Sequence, residues 1–407
     1  MKDIRIKDTH FIDRDGKEIL LSGINMVCKE KEKGYLGDYK EEDFAYLSSL
    51  GFRIVRFGIF WDGVEPECGT YDDNYLEQIR SLAHLAKKHG ISFYLDMHQD
   101  LFSAEFCDGA PGWATLTNGE TYEKTELWSE AYLTSPAVQL AFDNFWNDTP
   151  AADGIGIQTH YLNMGKHIAE FFQNESNIIG YDCLNEPFPG SACASLLEGL
   201  FTSLAMHLSS ESHIATEEEI MGIWMDNEKK AALLSDFSEY EQYSALVTPL
   251  GEALKTFDET VLSSFYQKLR DSIRSVDKEV LLFIETNYFC NTGIPSGVLP
   301  PKDENGQQDK GLVYAPHGYD LMVDTDQYES DTFVRLDVIF DAHKEYAEKF
   351  HLPVLIGEWG CYPNANEAQK KEASYLLSKF KSLCFSNTYY DYSTFHGNPI
   401  VDVLKKQ

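Results

Sequence analysis

The stretch from Ile178 to Pro187 reads Ile-Ile-Gly-Tyr-Asp-Cys-Leu-Asn-Glu-Pro, and it decides the fold. Its first part is mostly apolar, as in a strand that is buried on both faces of a parallel sheet. Pro187 ends this strand, because proline has no N–H to donate to a neighbouring strand. The stretch therefore predicts a buried strand that places Asn185 and Glu186 at its C-terminal end.

Short apolar runs of the same kind alternate with helical patterns along the chain. This alternation is typical of βα units around a parallel sheet. A β-hairpin is predicted at residues 4–22, with Asp15-Gly16 as its turn. Eight barrel strands are predicted near Leu20–Val27, Arg53–Ile59, Ser92–Met97, Ile178–Leu184, Val280–Glu285, Leu312–His317, Val354–Glu358 and Thr388–Tyr392. Helices are predicted between them, among others at Tyr71–His89, Tyr161–Gln173, Val261–Ser275, Asp331–Phe350 and Ala365–Lys381.

These units predict an α/β fold, a (β/α)8 TIM barrel in which residues 1–407 form a single catalytic domain. Long insertions are expected after strands three and four. Residues 98–153 form a predicted loop rich in Gly, Trp and Asp, and residues 188–255 a predicted helical insertion that includes the run Ala215–Asp236. This insertion either shapes the substrate site or only stabilises the barrel. After strand eight we expect a short helix and no C-terminal β-sandwich.

The composition excludes several classes of function. With 66 acidic and 34 basic residues, the net charge of −32 repels nucleic acid and anionic lipid. None of the eight cysteines forms a C-x-x-C pair, so nothing indicates a zinc ribbon or a redox centre. No segment reaches ~20 consecutive apolar residues, and the N-terminus does not resemble a signal peptide. We expect a cytoplasmic monomer without a transmembrane segment, cofactor or metal.

A second predicted strand ends in a carboxylate in the same way. Residues 352–360 read Leu-Pro-Val-Leu-Ile-Gly-Glu-Trp-Gly, so Glu358 ends strand seven as Glu186 ends strand four. The C-terminal ends of the strands meet at the face where barrel enzymes have their active sites. Two carboxylates that flank one bond are the usual means of glycoside hydrolysis. A lone strand-end glutamate is more often a helix cap or a surface ion pair, but the two together favour catalysis.

Polar motifs also follow the other predicted strands. Besides Asn25, Lys29 and Arg56, the motifs are Phe60-Trp-Asp-Gly-Val-Glu-Pro66, Asp96-Met-His-Gln-Asp100, Gly109-Ala-Pro-Gly-Trp113, Gly180-Tyr-Asp-Cys-Leu-Asn-Glu-Pro-Phe-Pro-Gly190 and Tyr314-Ala-Pro-His-Gly-Tyr319. In this order they resemble glycoside hydrolase family 5 and, more narrowly, its endoglycoceramidases. The resemblance runs from Gly23 to about Tyr392.

The resemblance implies a role for each of these polar residues. Glu186 would be the acid/base that protonates the leaving oxygen and then deprotonates water, and Glu358 the nucleophile of a retaining reaction. The two carboxyls would then lie about 5–5.5 Å apart. Four supporting residues would hold the pair or the sugar 2-hydroxyl: Asn185, Arg56, His317 and Tyr319. Three others would bind hydroxyls of the sugar in the −1 subsite: Lys29, His98 and Asp100.

Aromatic side chains are candidates for stacking on sugar or lipid. Substrate contacts are predicted for Trp113 and Trp146, with Trp61 as a further candidate, although each of these rings could instead belong to the packing. The resemblance implies a tryptophan on strand eight under the −1 sugar, but residues 386–392 read Ser-Asn-Thr-Tyr-Tyr-Asp-Tyr. Tyr390 would have to take that place.

Several functions remain open at this point. The first is an endoglycoceramidase-like β-glycosidase, which would cleave the bond between a sugar and an amphipathic aglycone and release ceramide from glycosylceramide. The alternative is a cytoplasmic β-glucosidase that acts on small, steryl or plant glycosides. A cellulase or mannanase would need an open cleft, and a non-catalytic glycan-binding barrel typically lacks one of the two carboxylates.

Overall fold

Strands and helices alternate through the chain. The structure, a computed structural model, describes residues 2–125, 127–209, 213–224, 226–321 and 333–405. The strands are β1 Arg5–Lys7, β2 His10–Ile12, β3 Glu18–Ile19, β4 Ser22–Met26, β5 Ile54–Phe60, β6 Ser92–His98, β7 Ile178–Asp182, β8 Leu281–Ile284, β9 Leu312–Tyr314, β10 Leu355–Ile356 and β11 Ser386–Tyr389. The helices are α1 Glu41–Ser49, α2 Trp61–Val64, α3 Asp73–Lys88, α4 Ala131–Thr134, α5 Pro136–Trp146, α6 Ile157–Phe172, α7 Cys193–Leu208, α8 Glu217–Trp224, α9 Asn227–Ser235, α10 Tyr240–Val247, α11 Gly251–Thr256, α12 Ser263–Arg274, α13 Val334–Phe350, α14 Glu367–Leu383 and α15 Val401–Leu404.

Strands β4 to β11 form a parallel barrel. Neighbouring strands pair in the order β10-β11-β4-β5-β6-β7-β8-β9. Parallel bridges between Tyr314 and Val354 and between His317 and Glu358 join the two outer members and close the sheet. The predicted (β/α)8 fold is confirmed, and each predicted barrel strand overlaps an observed one.

The barrel wall follows from the sequence pattern. Strands β5 and β6 are buried along their whole length, as expected for parallel strands covered on both faces. Helix α3 begins where the side chain of Asp72 caps the backbone N–H groups of Asn74 and Tyr75. Its buried residues Leu76, Ile79, Ala83 and Ala86 recur at helical spacing, so the helix presents one apolar face to the sheet.

A small antiparallel sheet of β1, β2 and β3 precedes the barrel. The predicted hairpin at residues 4–22 is confirmed, with one strand more than expected, and Gly16 adopts φ +80° in the turn between β2 and β3. Phe11 of this sheet packs in one apolar cluster with Ile54 and Tyr94 of the barrel strands. The sheet therefore covers the N-terminal end of the barrel and leaves the opposite end to the site.

The two long insertions after strands three and four are confirmed. Strand β6 ends at His98 and β7 begins at Ile178, while β7 ends at Asp182 and β8 begins at Leu281. The second insertion contains α7 to α11. The predicted run Ala215–Asp236 is divided into α8 and α9, because Asp226 caps the backbone N–H groups at the start of α9.

Some predicted features fall outside the described residues. These are Met225 within the helical run of the second insertion and the first two residues of the predicted helix Asp331–Phe350, whose described part, α13, begins at Val334. Within the described ranges, no helix combines the length and the apolar character that crossing a bilayer requires.

Candidate active site

Glu186 and Glu358 lie together at the C-terminal end of the barrel, both of them buried. A carboxylate oxygen of Glu186 lies within 4.8 Å of one of Glu358. This closeness fits the separation of about 5–5.5 Å between the carboxyls of retaining glycosidases.

The backbone of Glu186 is held in an unusual conformation. Its φ of +42° lies in the left-handed region, which costs a residue with a side chain about 1–3 kcal/mol. Two contacts hold it there: the N–H of Glu186 donates to Glu285 Oε2 at 2.8 Å, and Gln99 Nε2 donates to the carbonyl of Asn185 at 2.8 Å. The abrupt end of the strand before Pro187 thus turns the glutamate towards the partner carboxylate.

Glu358 accepts hydrogen bonds on both carboxylate oxygens. The guanidinium of Arg56 donates to Oε1, and the hydroxyl of Tyr319 donates to Oε2 at 2.9 Å. Charge-assisted hydrogen bonds of this kind fix the orientation of a carboxylate. The structure thus places Arg56 and Tyr319 against Glu358, in the arrangement that the resemblance implies.

Arg56 is fully buried among several carboxylates. Besides Glu358 it contacts Asp182 at 3.0 Å, Asp96 at 2.9 Å and Glu285 at 3.1 Å. Burial and then the charge of Glu285 raise the pKa of Asp182 well above its usual range, so a proton there reduces the excess negative charge. Arg56 thus contacts Glu358 within a network of buried carboxylates.

The surroundings of Glu186 differ from those of Glu358. Burial raises the pKa of Glu186 to about 7, although its hydrogen bond with His317 acts in the opposite direction. Burial alone would lower the pKa of His317, but the charges of Glu285 and Glu358 raise it well above its usual value. His317 Nδ1 lies 2.8 Å from Glu186 Oε1, and Asn291 Nδ2 donates to the same oxygen at 2.7 Å. Glu186 can therefore hold a proton near neutral pH.

A second polar group lies beside the pair, where the −1 sugar was predicted. Lys29 forms a salt bridge with Asp100 and approaches the rings of Trp128 and Tyr390 at 5.8 and 5.9 Å. Burial alone would raise the pKa of Asp100, but Lys29 lowers it to about 2. Lys29 is therefore tied to its neighbours by an ion pair and two aromatic rings.

His98 belongs to the same group. Its Nδ1 lies 2.7 Å from Asp96 Oδ2, and its Nε2 lies 3.8 Å from Asp100 Oδ2. Burial alone would lower the pKa of His98, but Asp96 raises it to about 10. The sugar contacts of Lys29, His98 and Asp100 remain predictions, now with a geometry that places the three side chains together.

The two predicted tryptophans are held by hydrogen bonds to the backbone. Trp113 donates its indole N–H to the carbonyl of Glu65 at 3.0 Å and packs edge-on against Trp61. Trp146 donates its indole N–H to the carbonyl of Phe188 at 2.9 Å and packs against the rings of Phe257 and Phe265. Among the described residues, no contact joins either indole to Glu186 or Glu358. These contacts favour packing for both rings.

Asn185 is also held by its neighbours. Its Oδ1 accepts from Arg56 at 2.8 Å, and its Nδ2 donates to the carbonyl of Gln99 at 3.0 Å. The predicted hydrogen bond to a sugar 2-hydroxyl stays a prediction.

Sequence reasoning missed several members of the site. Glu285 follows β8, so the strand-end signal that indicated Glu186 could have indicated it as well. Asp96 and Asp182 lie inside apolar strands, where an isolated acidic residue predicts either a buried ion pair or a break in the pattern. Asn291 and Trp128 lie in short helical turns of long loops, and no sequence pattern brings them to the site.

Fold and site together define a class of protein: a (β/α)8 barrel with two carboxylates spaced as in retaining glycosidases. The profile of the Cellulase (glycosyl hydrolase family 5) family matches residues 12–396 of the chain. The chain belongs to glycosyl hydrolase family 5, and the resemblance to this family is confirmed.

Individual relatives point to one branch of the family. The chain is 33% identical over 208 residues to an endoglycoceramidase of Cyanea nozakii, and this match covers 44% of this chain and 40% of that protein. It is 26% identical over 314 residues to endoglycoceramidase I of Rhodococcus hoagii, covering 76% and 51%. The chain thus matches about half or less of the length of these relatives. The solved structure of endo-glycoceramidase II from Rhodococcus sp. in complex with a five-membered iminocyclitol is similar, with a TM-score of 0.73 at 25% identity over 97% of this chain and 80% of that one.

Proposed function

We propose that the protein is a retaining β-glycosidase that cleaves the bond between a sugar and an amphipathic aglycone, releasing ceramide from a glycosylceramide. The observation that carries the proposal is the close pair of Glu186 and Glu358, two carboxyls with different surroundings. Environments that differ in this way assign the acid and the nucleophile.

In the first step, Glu358 attacks the anomeric carbon while Glu186 gives its proton to the leaving oxygen, so the glycosidic bond breaks and a glycosyl ester forms. In the second step, Glu186 takes a proton from water, the water oxygen bonds to the anomeric carbon, and Glu358 leaves as a carboxylate. Arg56 and Tyr319 hold Glu358 in position for attack, and His317 and Asn291 orient Glu186. Two displacements retain the anomeric configuration.

Two observations support a lipid aglycone. The relatives described above are endoglycoceramidases. The insertion that follows β7, the strand of the acid, exposes large apolar side chains: Met206 is 70% exposed, Ile214 80% and Met221 40%. Exposed apolar groups in an insertion that follows the strand of the acid suit a substrate with an alkyl tail better than a fully polar one.

The nucleophile is tested with a 2-deoxy-2-fluoro glycoside that carries a good leaving group. We expect a stable adduct on the peptide that contains Glu358, found by mass spectrometry. Azide should rescue Glu358→Ala with an α-glycosyl azide as product and Glu186→Ala with a β-glycosyl azide, because azide enters from opposite faces. Each variant should lose on the order of 10³-fold or more in kcat, about 4 kcal/mol in the barrier.

Glu252→Ala is the control, since this glutamate lies on α11 and its lysine partner is on the same surface helix. It should keep wild-type activity. Wild-type rates in both Glu186→Ala and Glu358→Ala would rule out the catalytic proposal and leave a glycan-binding barrel.

The substrate is tested with glucosylceramide, a ganglioside, a steryl glucoside, a β-glucan and aryl β-glycosides, with the products resolved by mass. Release of ceramide supports the proposal. Turnover of only the aryl and small glycosides, or a preference for the steryl glucoside, would replace it with the β-glucosidase alternative. Turnover of the β-glucan alone would indicate a cellulase.

We also propose that the protein is monomeric and works in the cytoplasm. The eight cysteines are free thiols in the structure, as is usual in a reducing compartment. Light scattering would test the first point, and cell fractionation the second.

A further inference from the structure

Three side chains outside the catalytic pair form a cluster of donors that suit a metal ion. Cys68 lies in the loop between α2 and α3, Asp153 in the loop between α5 and α6, and His160 on α6 itself. One donor atom of each lies within 4.8 Å of the others. Thiolate, imidazole and carboxylate are the three ligand types that zinc binds in proteins.

The distances fit a tetrahedral zinc site. With Zn–S of about 2.3 Å and Zn–N and Zn–O of about 2.0–2.1 Å, tetrahedral angles put sulfur and nitrogen about 3.6 Å apart and nitrogen and oxygen about 3.3 Å apart. The Cys68 Sγ to His160 Nε2 distance is 3.5 Å, and the His160 Nε2 to Asp153 Oδ2 distance is 3.2 Å. These two distances are thus close to those that a zinc ion would impose.

Neighbouring groups orient two of the donors. Glu65 Oε1 lies 3.0 Å from His160 Nδ1, so a proton on Nδ1 leaves Nε2 with a lone pair towards the cluster. The backbone N–H of Ile155 donates to Asp153 Oδ1 at 2.9 Å, which leaves Oδ2 facing His160. A histidine that donates its second N–H to a carboxylate is the usual outer partner of a zinc ligand.

The other clusters of acidic and histidine side chains among the described residues already contain a positively charged side chain. The cluster of His98, Asp100 and Asp108 contains the ammonium group of Lys29, and the clusters around His317 contain the guanidinium of Arg56. Within the described chain, no lysine or arginine forms an ion pair with Asp153. A cation can therefore enter at Cys68, Asp153 and His160, where a protein cation occupies the other clusters.

We propose that Cys68, Asp153 and His160 bind one zinc ion, with water as the fourth ligand on the side where Asp153 is 37% exposed. The ion joins the α2–α3 loop to the α5–α6 loop. The ion also fixes His160 and, through it, Glu65. Glu65 in turn accepts the indole N–H of Trp61 at 2.9 Å. The site departs from the sequence expectation of no metal, since its three donors follow no zinc-binding spacing.

The test uses the whole protein, stripped with a chelator and titrated with Co²⁺ and then Zn²⁺. We expect one equivalent of Co²⁺ to give a thiolate-to-cobalt charge-transfer band, which one equivalent of Zn²⁺ abolishes. Cys68→Ser and Asp153→Asn should each weaken binding at least tenfold. Cys384→Ser, which changes an exposed thiol at the end of α14, should bind as the wild type does.

The variants separate a metal site from a hydrogen-bonded cluster. Cys68→Ser keeps a hydrogen-bonding group but loses the soft ligand, and Asp153→Asn is a surface change that keeps its shape. Zinc should raise the melting temperature of the wild type and not of these two variants, since only a ligand of the native state stabilises. Absence of the band, or an equal band in Cys68→Ser, would overturn the proposal without affecting the proposed glycosidase activity.

Discussion

At the scale of single residues, neighbours distinguish two glutamates of identical chemistry. Glu358 receives hydrogen bonds from Arg56 and Tyr319, whereas Glu186 lies in a buried position that favours its protonated form. His317 contacts both glutamates, at 2.8 Å to Glu186 and 3.7 Å to Glu358. It therefore links the protonation of the acid to the charge of the nucleophile.

The pKa of Glu186 predicts the pH dependence of the first step. Glu186 must be protonated to act as acid, and burial raises its pKa to about 7. The protonated fraction approaches one well below that pKa and falls about tenfold per pH unit well above it, so kcat/KM should decline on the alkaline side of about pH 7. Glu186→Gln should lose this decline with substrates whose leaving group needs no acid. A decline that stays in Glu186→Gln would show that another group is responsible.

Asn291→Ala tests whether the protonation of Glu186 causes this alkaline decline of kcat/KM. Its amide donates to Glu186 Oε1, and a hydrogen bond to a carboxylate favours the charged form. Its loss should raise the pKa of Glu186 and move the decline to higher pH, by about one unit for about 1.5 kcal/mol. Asn177→Ala is the control, because its amide donates to the carbonyl of Ala83 instead. An alkaline decline at unchanged pH in Asn291→Ala would contradict the assignment of this decline to Glu186.

The sequence predicted residues whose strand fixes their position. Glu186, Glu358, Arg56, His317 and Tyr319 follow or lie in strands, and strand ends converge in a barrel. Asn291 and Trp128 come from loops whose path depends on tertiary packing. For Trp113 and Trp146 the sequence left binding and packing open, because burial of a large ring is favourable in either case. Their substrate contacts stay predictions.

At the scale of elements, the loop after β6 depends on Gly109. Its φ is +119°, and a Cβ there would lie 2.5 Å from the carbonyl oxygen of Phe102 and 2.7 Å from Gln99 Cβ. Gly109→Ala should therefore cost about 3 kcal/mol or more of the free energy of unfolding. Activity should fall too, because Gln99 holds the carbonyl of Asn185.

Gly119→Ala in the same loop is the control. Its φ is +93°, but a Cβ there would meet no atom within 4 Å. It should cost only about 1 kcal/mol through the backbone conformation. Denaturant unfolding measures both values, and equal losses would show that the clash at Gly109 relaxes freely.

Elements were predicted best where burial is complete. Buried strands such as β5 and β6 follow from uninterrupted apolar runs. The second insertion was predicted as helical, but its division into α8 and α9 depends on one capping aspartate, Asp226, inside a continuous helical pattern. Short capping interactions of about 1 kcal/mol decide such boundaries, and a helical period alone does not reveal them.

At the scale of the whole molecule, stability and chemistry occupy opposite ends of the barrel. Phe11 is 3% exposed in the cluster at the N-terminal end. Phe11→Ala should cost about 3–5 kcal/mol of stability and leave kcat/KM unchanged in the folded protein. Ile19→Ala, a partly buried neighbour in that cluster, should cost less. A changed KM in Phe11→Ala would show that the two ends are coupled.

The barrel closes where its strands are shortest. β9 has three residues and β10 two, whereas β5 and β6 pair over seven. Gly357 N donates to the carbonyl of Pro316 at 2.9 Å and Gly318 N to that of Glu358 at 3.2 Å, so few backbone bonds hold this seam. In hydrogen–deuterium exchange these amides should open before those of β5 and β6. Since the seam carries Glu358, a sugar bonded to that residue should slow their exchange, and the reaction cycle would then alternate between a looser and a tighter barrel.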